Sequence, residues 1–307
     1  MAKITLILWQ LIFFILIAPF LSGLIAKLKN SFRMRKGQST FQPYYDLIKL
    51  FSKGQVVSET ASWIFKVTPF ILISSVLTVA LLIPVYIVPS PLSKMGDFLA
   101  IIFIFALGRF FLALAALDTG SSFGGMGSSR EMFISSLVEP ALCLVVFSIF
   151  MQFGSTNISV FSGMHAISIA SIVAGIALFL VAIAETSRIP VDNQETHLEL
   201  TMVHEAMVLE YSGRRLALIE LAAQIKQMIW FFLIAQIIFP ITALDLINPT
   251  ELFSWSLWYL TRIFMIVIAV AGVEVLLAKM RLFRVADFLG FVFVLGIIGS
   301  ICAILRI

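Results

Sequence analysis

The chain has 307 residues, of which 61% are hydrophobic and only 12% charged, and its mean hydropathy is +1.07. Soluble domains are ordinarily about one-quarter charged, so this composition excludes a soluble globular enzyme and points to an integral membrane protein. The net charge of +4 is no sign of nucleic-acid binding, because the basic residues sort by membrane side. Cys143 and Cys302 stand alone in apolar segments, without the paired spacing of an iron–sulfur or zinc site.

Eight apolar runs approach the ~20 residues that cross a bilayer as helix. They lie near 4–26, 67–89, 98–117, 132–153, 166–186, 217–241, 257–278 and 285–305. The first is too long for a signal-peptide core and reads as a span. The expected fold is all-α, a polytopic helical bundle forming one membrane domain over 1–307. Lys and Arg concentrate in the alternate loops 27–66, 118–131, 187–216 and 279–284. The other side holds only Lys3, Lys94 and Arg306. The positive-inside rule therefore makes those loops cytoplasmic and both termini extracytoplasmic.

The loops carry further pattern. In Q-P-Y-Y-D-L-I-K-L-F-S-K the residues Tyr45, Ile48 and Phe51 form an apolar stripe, which predicts a short helix along the membrane surface. Gly120 to Arg130, G-S-S-F-G-G-M-G-S-S-R, lacks the lysine and the strand context of a phosphate loop and reads as a flexible turn. The segment from Glu185 to Gly213 holds six of the seventeen acids. Pro190 should end the preceding helix, and Asp192 with Glu195 reads as a capping box that opens a new one. Glu195 and Glu199 then share a face, as do His197 and His204, but no spacing here is that of a metal site.

Ionisable groups within spans are costly and tend to be functional. Arg109, Glu139, Glu185, Glu220, Lys226 and Glu274 fall in spans three to seven, mostly toward the cytoplasmic half, and Arg262 lies near the outer end of span seven. The asymmetry predicts a buried polar cavity opening to the cytoplasm, where carboxylates balanced between burial and nearby cations could relay protons. The competing reading is structural ion pairing with Arg109 or Lys226.

The run E-T-S-R-I-P-V-D-N-Q-E-T-H-L-E-L, closing with E-Y-S-G at 210–213, resembles the signature of the complex I subunit 1 family. So do the basic first loop and the following D-L-I-K-L. The stretch S-R-E-M-F-I-S-S-L-V-E-P and Lys226 are similar to the branch of membrane anchors in formate hydrogenlyase and energy-converting group 4 nickel–iron hydrogenases. The quinone-reducing branch usually carries A-Q in place of Arg130–Glu131. Its glutamate in the sixth span is three residues later than Glu220.

The resemblance implies a non-catalytic, ion-coupling subunit of an oxidoreductase in a prokaryotic inner membrane. It implies no cofactor in this chain, with iron–sulfur clusters and a nickel–iron site in partner subunits. The partners are hydrogenase-type large and small cytoplasmic subunits, antiporter-like membrane subunits and the lipid bilayer, with no nucleic acid. On this reading the candidates for a proton path are Glu131, Glu139, Glu185, Asp192, Glu195, Glu199, Glu210 and Glu220, with Arg109, Arg130, Arg188 and Lys226 as charge partners. The alternatives are the quinone-site subunit of an NADH–quinone oxidoreductase, a purely structural anchor, and a stand-alone transporter. The last is disfavoured by the lack of an inverted repeat.

Overall fold

The computed structural model describes residues 2–85, 96–158, 168–193, 202–239 and 249–305, with the side chains of 2–6, 249–252 and 255 left out. The described elements are helices: α1 (Ala2–Phe32), α2 (Gln42–Ser52), α3 (Trp63–Leu82), α4 (Phe98–Asp118), α5 (Ser122–Phe153), α6 (Ile169–Glu185), α7 (His204–Val208), α8 (Gly213–Ile238), α9 (Pro249–Leu276) and α10 (Leu282–Leu305). Seven of them are long and apolar enough to cross a membrane, and α6, of 17 residues, is a shorter apolar helix. The chain is a multi-pass helical membrane protein.

Helix α8 is the axis of the bundle. Its most apolar stretch is 72% buried, against 33% in α10, so α8 is wrapped by this chain whereas α10 leaves much of its surface uncovered by it. Around α8 pack α1, α3, α6 and α2, while α5 lies against α10, α6 and α4. Small residues permit the closest approaches, as expected where lipid supplies no hydrophobic drive between helices. A side chain at Gly296 or Gly299 of α10 would press on Leu144 and Ser148 of α5. At the end of the bundle away from loop 187–216, Phe98 and Ile158 backbone amides donate to the carbonyls of Thr156 and Gly96, fastening the start of α4 to the end of α5.

Several element boundaries depart from the sequence reading: α1 runs on to Phe32 and α9 begins at Pro249, and α3 and α5 shift for reasons that their ends show. Helix α3 runs from 63 to 82 instead of 67 to 89. The Ser62 side chain accepts the Ile64 amide and starts it early, and Pro84, which has no amide to donate, follows its end. Helix α5 starts ten residues before the expected span, so the glycine-rich stretch is helix and not a flexible turn. Ser121 caps it by accepting the Gly124 amide. Two of its glycines serve packing: a Cβ on Gly124 would strike the Ala116 carbonyl, and one on Gly127 would strike Ala206 and the Val203 carbonyl. A helix forms over the Tyr45 stripe as α2, with Tyr45, Ile48 and Phe51 exposed and Leu47 buried.

The E-Y-S-G tetrapeptide is a clasp. The Tyr211 ring stacks on Phe65 at 3.9 Å between centroids, and its hydroxyl donates to the Phe65 carbonyl. Ser212 accepts the Val56 amide and donates to the Val56 carbonyl. Gly213, at φ +56°, lets the chain turn against Gly54. The first loop and loop 187–216 are thereby fixed together at the mouth of the bundle.

Candidate functional site

Four helices deliver one ion-pair chain. Glu185, the last residue of α6, is buried, and both of its carboxylate oxygens are taken. Arg109 of α4 reaches Oε1 at 2.6 Å and Lys226 of α8 reaches Oε2 at 2.8 Å. The Lys226 ammonium also donates to the Glu185 carbonyl at 3.0 Å. From its other amino group Arg109 reaches Glu139 of α5 at 3.2 Å. The Glu139 side chain is 49% exposed, so the chain of charges starts at the outer surface of the bundle and ends at its axis.

Arg109, Glu185 and Lys226 border a cavity of about 120 Å³, room for several water molecules. Its acids are Glu131, Glu185, Glu205 and Glu220, and its cations are Arg109, Arg188 and Lys226, with His204 among them. One wall is apolar, including Leu72, Val76, Phe105 and Leu112. Such a wall lowers the local dielectric and sharpens every charge interaction inside. Burial pushes the Glu205 carboxyl up to about 7, helped by the negative charges of Glu220 and Asp192. Burial also pushes His204 down to about 4, with Lys226 adding to the shift and Asp192 opposing it. At neutral pH the histidine is therefore uncharged, and Glu205 sits at its midpoint.

A second charge group flanks the first. Glu274 of α9 is 2% exposed and accepts from Arg188 at 2.9 Å and from Lys29 of α1 at 3.2 Å. The other Arg188 amino group donates to the Gln227 side chain at 2.8 Å, next in sequence to Lys226. The two groups thus meet at consecutive residues of α8.

The sequence-derived site residues divide accordingly. Glu131, Glu185, Glu220, Arg109, Arg188 and Lys226 come together at the cavity, while Glu139 is off its wall and joins it only through Arg109. Asp192 stands apart as an anchor: one oxygen accepts from Lys279 at 2.7 Å and the other from the Val203 and His204 amides. It thereby caps the start of α7, the helix that carries His204 and Glu205; the helix expected to open from Asp192 through Glu195 lies outside the described residues. Arg130 donates to the Met202 carbonyl and so holds the same segment from α5. Glu210 is exposed at the clasp and is absent from the cavity wall. Glu195, Glu199 and His197 lie outside the described residues.

Sequence reasoning left Glu205, His204 and Lys29 out of the site. For Lys29 the only signal was its place at the end of an apolar run that α1 extends. For Glu205 there was none, since its neighbours come from other elements. Among the described residues, no three His, Cys, Asp or Glu side chains group to hold a metal ion.

The family model for NADH dehydrogenase matches residues 4–305. The chain belongs to the NADH dehydrogenase family, in its subunit 1 line. Two members from Escherichia coli strain K12 are similar along most of their length. Formate hydrogenlyase subunit 4 is 31% identical over 271 residues, covering 87% of each chain. Hydrogenase-4 component C is 31% identical over 276 residues, covering 89% of this chain and 87% of its own. NADH-quinone oxidoreductase subunit 8 of Rhodothermus marinus is 28% identical over 222 residues, covering 67% of this chain and 62% of its own. The family fold is also seen in a chain of the membrane-bound sulfane sulfur reductase, an archaeal respiratory membrane complex. That chain superposes with a TM-score of 0.83 over 99% of this one at 18% identity.

Proposed function

We propose that this NADH dehydrogenase family member is the membrane anchor and proton-coupling subunit of an energy-converting hydrogenase or formate hydrogenlyase complex. The observation that carries the reading is the cavity in which buried acids and cations of α4, α5, α6 and α8 meet beside Glu205. The similarity to formate hydrogenlyase subunit 4 and hydrogenase-4 component C supports the choice of complex. In this reading the eight spans include α6, whose 17 residues give about 26 Å of helix, close to the hydrocarbon thickness. Both termini are extracytoplasmic, and the basic loops face the cytoplasm of a prokaryote.

Electrons move through iron–sulfur clusters and a nickel–iron site in hydrogenase-type large and small subunits docked on those loops. Antiporter-like subunits stand beside this chain in the membrane. The mechanism is an electrostatic switch. The clasp and the Asp192 anchor transmit changes at the docking face to α7. A small movement of α7 alters how far Glu205 is buried and so whether it holds a proton at neutral pH. The proton then passes by water to Glu220 and Glu131, and the Arg109–Glu185–Lys226 pairs rearrange as it does.

Affinity purification of the tagged chain from its native membrane tests the assignment. The expected result is a complex with antiporter-like membrane proteins, stoichiometric nickel and the paramagnetic signals of reduced iron–sulfur clusters. Recovery without nickel, in a complex that oxidises NADH and reduces quinone, would move the chain to the quinone-site alternative.

A further inference from the structure

The half of the bundle away from the cavity holds a charge that no relay step uses. Arg262 of α9 is 5% exposed. One amino group donates to the Ala235 carbonyl of α8 at 2.6 Å, and the guanidinium lies 5.5 Å from the centroid of the Tyr259 ring. Among the described residues, its Nε and its other amino group have no hydrogen-bond partner, and no carboxylate forms an ion pair with it.

Its position is fixed by α8. Ala235 follows Lys226 by nine residues, which places the arginine about 14 Å farther along the helix. Buried aromatic rings fill the interval. Lys226 lies 5.6 Å from the Phe105 centroid, Phe105 is 5.8 Å from Trp230, and Phe232 stacks on Tyr259 at 5.3 Å. From the cavity outward the order is ammonium, aromatic layer, guanidinium.

A guanidinium is not deprotonated in a protein, and a charge buried at membrane depth is costly to keep. Packing alone would be served as well by an apolar side chain. A fixed cation in a low-dielectric passage opposes the entry of hydronium and other cations. We propose that Arg262, behind the aromatic layer, is an electrostatic seal. It closes the far half of this chain to protons, so that those taken up in the cavity leave sideways and not straight through. The proposal rests on the cavity being a proton path, and it assigns that path a direction.

The test is a passive leak, measured without turnover. The complex containing the full chain is reconstituted in vesicles holding a pH-sensitive dye, and a potassium diffusion potential is applied. The wild type is expected to be tight. A unit charge about 8 Å from the passing proton at an effective dielectric constant near 20 slows passage roughly 30-fold. Arg262→Gln should therefore raise the proton leak by up to that factor, and Arg262→Lys should restore tightness. A leak in Arg262→Gln equal to wild type would overturn the seal, as would Gln and Lys variants leaking alike. The wild type supplies a second measurement that does not depend on the variant folding. Its residual current should be carried by anions, and a proton-selective residual current would overturn the proposal. Because no redox substrate is present, the leak is read apart from coupled transport, and the proton gradient formed per electron in a Glu205→Gln variant tests the cavity as a proton path separately.

Discussion

Glu185→Gln is expected to uncouple the complex and to lower its stability together. The substitution keeps the volume but removes the one carboxylate that both Arg109 and Lys226 contact. Arg109 is left with the half-exposed Glu139, and Lys226 with a backbone carbonyl. Breaking a buried pair by removing one partner costs roughly 3–5 kcal/mol, because the stranded charge stays desolvated. The measurable result is less assembled complex, an earlier thermal transition and no coupled proton gradient. The double variant Glu185→Gln with Lys226→Met separates these effects, since it removes a stranded cation along with its partner. It should recover much of the stability, because contacting residues are not additive, and it should not recover the gradient.

Gly213→Ala is expected to open the mouth of the bundle. The residue has φ +56°, a region that costs a non-glycine residue about 1–3 kcal/mol, and its Cβ would collide with the Gly54 carbonyl. Both effects act on the clasp that ties residues 54–65 to 211–213. Limited proteolysis of the purified complex should then cut between Lys53 and Ser58 faster than in wild type, with an earlier thermal transition. Ala substitution at Gly54, where a Cβ meets nothing, should do neither.

Much of this architecture was legible in the sequence because lipid imposes a simple rule. Runs of apolar residues had to be helices, and the basic loops between them stood out. The start of α5 was not legible, because Gly and Ser ordinarily signal turns. At Gly124 and Gly127 their small size instead admits the end of α4 and the α7 segment. The acids of the site were legible as charges out of place in oil, but their pairing was not. Glu185 meets partners 76 and 41 residues away on two other helices, and no spacing rule connects them. Asp192 was legible as a cap, yet apart from that of Asn193 the amides it accepts lie 11 and 12 residues on. Glu205 had no periodic signature at all; burial by neighbouring elements makes it titrate near neutrality.

That residue offers the most direct test of proton coupling through the cavity. Glu205 makes no ion pair among the described residues, so Glu205→Gln should assemble normally. The sign of its linkage is plain. A free carboxyl ionises above about 4.5, whereas this one holds its proton to about 7. Wild-type stability should therefore fall as pH rises between those values and level off above, and the variant should lose that slope. In sealed vesicles driven by the complex's own redox reaction, the proton gradient formed per electron transferred is the deciding quantity. The account predicts that Glu205→Gln keeps electron transfer and loses most of the gradient. An unchanged gradient per electron in a normally assembled variant would contradict it.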